Sequence, residues 1–68
     1  MVNEIRQIYS VKDIALADAG VNAADATFTK AKLDRDDGRD VYDIEFYTSD
    51  REYEYEIDAV SGNIIKRE

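Results

Sequence analysis

The alternation between Asp40 and Ala59 constrains this chain more than any other stretch. It reads Asp-Val-Tyr-Asp-Ile-Glu-Phe-Tyr-Thr, then a Ser-Asp link, then Arg-Glu-Tyr-Glu-Tyr-Glu-Ile-Asp-Ala. Apolar and acidic residues recurring with period 2 mark a strand with one dry face and one wet face. In the first run Tyr42, Ile44 and Phe46 share a face, opposite Asp43 and Glu45. In the second, Tyr53, Tyr55, Ile57 and Ala59 oppose Glu52, Glu54, Glu56 and Asp58. The Ser49-Asp50 link is short enough to join the runs as an antiparallel hairpin. A lone hairpin is marginal in water, so other residues must cover its aromatic face.

The residues before the hairpin supply that cover. Ser10 suits an N-cap, and Asp13 three residues on completes a Ser-x-x-acid capping box. Tyr9 and Ile14 take the N′ and N4 positions of a hydrophobic staple. Gly20 stands where a left-handed C-cap is wanted, with Val21 able to pack back. These signals predict a helix within 10–20, with Val11, Ile14, Ala15 and Ala19 as its apolar stripe. Its alanines let it lie close to the tyrosines. Ahead of it, Ile5, Ile8 and Tyr9 at i, i+3, i+4 spacing suggest a helical or frayed lead-in over 1–9.

After a short linker, Ala26 to Leu33 reads as a first strand. Ala31 and Leu33 are expected on the core face, and Phe28, Lys30 and Lys32 on the outer one. Asp34 to Arg39 is a turn with Gly38 at positive φ. Ser61-Gly62-Asn63 is another, leading to a last strand over Ile64–Arg67. The expected fold is α+β: one main N-terminal helix packed on a four-stranded antiparallel β-meander, in two layers, as a single domain over 1–68. It buries every apolar set without a long crossover. On the outer face, Lys30 and Lys32 should meet Asp43 and Glu45, and the Glu ladder should neighbour Lys66 or Arg67. Such opposite pairs contribute roughly 0.2–1 kcal/mol each.

At 68 residues, only about 60% of the unfolded surface can be buried, so stability is marginal. No cysteine is present to add a disulfide or thiolate site, and no histidine to act as general base or metal ligand. No apolar run approaches the ~20 residues of a membrane span, and no signal-peptide pattern opens the chain. How little precedes the first folded-looking segment suggests a domain of a longer protein. A net charge of −7 argues against nucleic acid and anionic membrane, and suits solubility or a basic partner.

Candidate chemistry is thin. Asp34, Asp36 and Asp37 near Gly38 invite a calcium-loop reading, yet position 5 would be Gly38 and position 6 Arg39, so the pattern fails and a polar turn fits better. The Glu52, Glu54, Glu56 and Asp58 ladder lacks the pocket that catalytic carboxylates need to separate their pKa values. Ordinary solvated surface accounts for it, with a cation or a basic partner as the functional option. Phe28 and Tyr47 are expected side by side among these acids. They form either plain cross-strand packing or an interface anchor. The candidate partner surface is therefore Phe28, Tyr47, Glu52, Glu54 and Glu56, with no catalytic, cofactor-binding or metal residues and no cofactor. Asp58 should order the turn at Ser61-Gly62.

Several segments, taken together, resemble the PepSY domain, the peptidase propeptide and YpeB-type domain. Asp13-Ile-Ala-Leu-Ala-Asp-Ala-Gly-Val21 is similar to that family's Ala-rich helix ending in Ala-Gly-Val. Ala31-Lys-Leu-Asp34, Asp37-Gly38 and Val41-Tyr-Asp-Ile-Glu-Phe46 are similar to its first two strands and their turn. Tyr53-Glu-Tyr-Glu-Ile-Asp-Ala59, then Ser61-Gly62, is similar to its closing pattern. The resemblance spans about Tyr9 to Ile65. It implies a non-catalytic regulatory or interaction module of an exported or cell-envelope protein, acting on a peptidase or a neighbouring domain. The alternative is a structural spacer whose acidic face keeps its host soluble and at most collects cations weakly.

Overall fold

The two alternating runs become the central strands, β2 (Arg39–Tyr47) and β3 (Glu52–Asp58), flanked by β1 (Thr27–Asp36) and β4 (Ile64–Arg67). The computed structural model describes the backbone of residues 3–68 and the side chains of residues 11–68 other than Asp36. The strands pair antiparallel in chain order, and helix α1 (Asn3–Ala19) packs on one face, followed by a single 3-10 turn at Ala23–Asp25. This is the expected two-layer α+β meander.

The helix ends as the sequence predicts but begins elsewhere. Gly20 has φ 72, its N–H reaches the Ala17 carbonyl at 3.2 Å, and the Val21 N–H reaches Leu16 at 3.0 Å. This is a Schellman closure, with Val21 packed against the core as its apolar contact. At the other end α1 runs on through Ser10, so the capping box does not form, and Ser10 lies inside the helix. Helical propensity carries the chain past Ser10 when nothing forces a turn there. The staple partner Tyr9 and the residues Met1 and Val2 of the lead-in lie outside the described side chains or backbone.

The core sits between α1 and the middle strands. Ala15, Ile44 and Ile57 are fully buried, and Phe46 is 1% exposed. Phe46 stacks on Tyr53 at 4.8 Å and lies 5.1 Å from Phe28 and 6.1 Å from Tyr55, ring centroid to ring centroid. Ala15 contributes by being small, which lets the helix approach these rings. Leu16 joins the buried helical stripe with Val11 and Ala15, while Ile14 and Ala19 are half-buried.

Two irregularities change which side chains face this core. The β1–β2 register shifts between Phe28 and Lys30, so Thr29 is extra and Phe28 falls opposite Phe46. Phe28 therefore packs against the core rather than on the outer face with Lys30 and Lys32. Lys12 places its ammonium 4.9 Å above that ring. A second shift between Glu56 and Ile57 leaves Ile65 unpaired in β4 and sets Arg67 opposite Tyr55. Ala31 and Leu33 do lie on the helix side, opposite Ile44 and Tyr42, but both are exposed because α1 lies over β2 and β3.

The β1–β2 turn is tighter than the sequence suggests, and the other two are wider. β1 continues to Asp36, and only Asp37 (φ 56) and Gly38 (φ 74) form the β1–β2 link. Positive φ at both central residues is the primed hairpin turn that matches strand twist. The β2–β3 link is longer, with Thr48 Oγ1 accepting from the Asp50 and Arg51 amides. At the β3–β4 turn Asp58 Oδ1 accepts from Val60 at 2.8 Å and Ser61 at 2.9 Å, the ordering role expected of it.

With so small a core, Phe46→Ala should remove about 3–5 kcal/mol, comparable to what a domain of this size holds in total. The variant is expected to be unfolded by circular dichroism at room temperature. Gly20→Ala meets open space but keeps φ 72, so its cost should be about 1–2 kcal/mol from the left-handed backbone alone, read as a lower urea midpoint.

Candidate functional site

The outer face is built by the acidic half of the alternation. Asp43 and Glu45 on β2 project beside Glu52, Glu54, Glu56 and Asp58 on β3, and the register sets Asp43 opposite Glu56 and Glu45 opposite Glu54. Like charges directly opposite one another destabilise a sheet, so what flanks each pair decides its cost. The two rows differ. Asp43 and Glu56 are bracketed by Lys32 on β1 and Lys66 on β4. Glu45 and Glu54 have Lys30 on one side, but on the other the chain pairs Glu54 with Glu68 through mutual backbone hydrogen bonds of 2.8 and 2.7 Å. The first row runs plus-minus-minus-plus and the second plus-minus-minus-minus.

Acidic charge therefore gathers at one corner of the sheet, where Lys30 lies 3.7 Å from Glu45 and Lys66 3.3 Å from Glu68, leaving four carboxylates to two cations. Glu45, Glu52, Glu54 and Glu68 line an open depression of about 330 Å³, with Tyr47 at its edge. Tyr47 is 44% exposed and pairs with Thr27 and Glu52. Of the five residues expected to form a partner surface, Tyr47, Glu52 and Glu54 are brought together here. Glu56 sits in the compensated row beside Lys66, and Phe28 is on the opposite face. Glu45, which the alternation sets beside the β1 lysines, and Glu68, which lies beyond the alternating runs, complete the corner.

Lys30 governs the cation question. Its ammonium lies 2.9 Å from Asp43 and 3.7 Å from Glu45, and the Asp43 hydrogen bond and charge raise its pKa. Asp43, Glu45 and Glu54 bring one carboxylate oxygen each within 4.8 Å of the others. Asp43 Oδ1 is buried without a hydrogen-bond partner among the described residues. A metal ion there would share its ligands with Lys30, which already supplies the positive charge this cluster needs.

A second polar constellation ties the helix to the far edge of the sheet. Asp18 accepts from the Tyr55 hydroxyl at 2.9 Å and from the Arg67 guanidinium through two bonds of 2.8 and 2.9 Å. Arg67 thus reaches the helix side instead of neighbouring the Glu ladder, a consequence of the β4 bulge. Asp18 lies in the last turn of α1, where the helix dipole disfavours an anion, and Arg67 offsets this. The Arg67 and Tyr55 hydrogen bonds hold the Asp18 carboxyl below its usual range. Burial, reinforced by Asp18, pushes the Tyr55 phenol up to about 12. The chemistry is positioning: among the described residues, Asp18 and Tyr55 line neither the depression at Glu45–Glu68 nor the one between Ala19 and Asp50.

Among the described residues no helix is long and apolar enough to cross a membrane. The family model for PepSY, the peptidase propeptide and YPEB domain, matches residues 10–68. An uncharacterized protein of Streptococcus pyogenes serotype M6 is 50% identical over 56 residues, covering 82% of this chain and 43% of the relative. An uncharacterized protein of Bacillus subtilis is 43% identical over 58 residues, covering 84% of this chain and 31% of the relative. The chain thus spans less than half the length of these relatives. No solved structure gives a significant match.

Because folded Asp18 has a lowered pKa, its contribution to stability is complete above the ordinary carboxylate value of 3.8 and is lost as pH falls through the folded value. Asp18→Asn should lower the urea midpoint near neutral pH, and its deficit against wild type should shrink progressively below pH 3.8. A deficit independent of pH would mean the ion pair is not its cause.

Proposed function

The chain belongs to the PepSY family, the peptidase propeptide and YPEB domains, and from that premise we propose that it regulates a peptidase by binding it. It works as a non-catalytic module of an exported or cell-envelope protein. The family match over most of the chain carries this reading. The chemistry of the surface agrees with it. The described residues place no carboxylate pair in an enclosed pocket, whereas they gather more acidic groups at one corner than Lys30 and Lys66 can match.

The contact surface in this reading is the corner formed by Glu45, Glu52, Glu54 and Glu68, with Tyr47 as its aromatic anchor. A basic segment of the partner relieves the repulsion between Glu45 and Glu54, so binding gains from charge that Lys30 and Lys66 neutralise only in part. Arginine is the favoured counterpart, because its planar fork can bridge two carboxylates and stack on a phenol ring.

The test adds the purified chain to a secreted metallopeptidase of its source organism and follows substrate cleavage at low and moderate salt. Cleavage should slow with added chain, less so as salt rises. Glu54→Lys should weaken the effect about three- to ten-fold, while Glu56→Lys, in the compensated row, should change it little. Unaltered cleavage at saturating chain would leave a structural spacer as the better account.

A further inference from the structure

The strand order leaves β1 and β4 as the sheet's edges, and they differ in kind. β4 has 4 residues, whereas β1 has 10. Long free edges present unpaired backbone groups and are normally blunted or covered. Among the described residues no other element hydrogen-bonds to the outer side of β1.

We infer that two copies of this chain associate through β1, antiparallel, about a twofold axis at Leu33. The backbone sets the parity. A two-residue turn closes on a pair that exchanges both hydrogen bonds, here Asp36 and Arg39. Alternation then directs the backbone groups of Asp34 and Lys32 toward β2 and those of Ala31, Leu33 and Arg35 outward. A second β1 can therefore bond only to the outward set.

Side chains then select the register. With Leu33 opposite its own copy, Ala31 faces Arg35 and each Lys32 faces Asp34 of the other copy. Leu33, 51% exposed because the helix does not reach it, gains an apolar partner. Two ion pairs form on the outer face. An axis one residue earlier sets Lys32 against Lys32, and one residue later sets Asp34 against Asp34. An axis at Ala31 sets Lys30 against Lys32. Only the Leu33 register is free of like-charge opposition between these residues. Lys32 and Asp34 are available for it, being 61% and 47% exposed and 4.0 Å apart at their charged atoms. Lys30, by contrast, is engaged with Asp43 and Glu45.

A single strand pair buries little apolar area, so the dimer is weak and concentration-dependent. Sedimentation equilibrium of the whole chain from about 10 μM to about 1 mM should show the mass rising from 7.8 kDa toward twice that value. Lys32→Glu and Asp34→Lys should each remain monomeric, since each places like charges across the interface. Their equimolar mixture should recover association, because every pair across that heterodimer is again opposite in sign. Leu33→Ser, which leaves the charges intact, should weaken the dimer, and circular dichroism checks that all variants fold. A wild-type chain that stays monomeric at the highest concentration overturns the proposal. So does a mixture that fails to recover, or a charge variant that associates as well as wild type.

Discussion

Phe46 has almost no exposed surface, and its ring touches or approaches those of Phe28, Tyr53 and Tyr55 on the two neighbouring strands. In a chain without cysteine, this aromatic layer is what the helix docks on. Ala15, fully buried, is the matching feature of α1: a larger side chain would hold the helix away from the rings. Gly62 at the β3–β4 turn is called for by its φ of 79, since an added Cβ would make only ordinary contact with Ile14 at 3.4 Å. The helix is thus set close to the rings by Ala15 and tied at its end by the Asp18–Arg67 pair.

The two bulges do much of the remaining work. One extra residue in β1 rotates Phe28 into the aromatic layer, and one in β4 rotates Arg67 toward Asp18. Each re-aims a side chain that strict alternation would have left on the acidic face. The effect on that face is electrostatic. With Arg67 on the helix side, Lys66 is the β4 cation on the outer face, opposite Glu56 and 3.3 Å from Glu68, so it and Lys30 balance the Glu45–Glu54–Glu68 row only in part. The corner proposed to bind a partner follows from where the chain spends its few cations.

The family and the charge distribution speak to different questions. Membership makes the chain a propeptide-like or regulatory module. The charge distribution says which part of its surface would gain most from a cationic neighbour. The uncovered edge of β1 lies at the opposite side of the sheet from β4, so self-association there leaves the Glu54–Glu68 edge free.

Local sequence determined the elements and their order. Alternation through Asp40–Ala59, the Gly20 stop, the Asp37-Gly38 turn and the Asp58-Ser61-Gly62 turn are all short-range signals, and each acts through the backbone it belongs to. From them follow the meander, the helix on its aromatic face, and the meeting of Lys30 with Asp43 and Glu45. The tertiary structure alone decided the rest. Whether Phe28 faces in or out depends on a bulge whose benefit, contact with Phe46, arises from residues far along the chain. Arg67 could not be assigned to Asp18 from spacing, because the pair is separated by 49 residues and depends on a bulge in β4. Exposure of Leu33 has a separate tertiary cause: its face was legible in the alternation, but its burial depended on how far one helix extends across four strands.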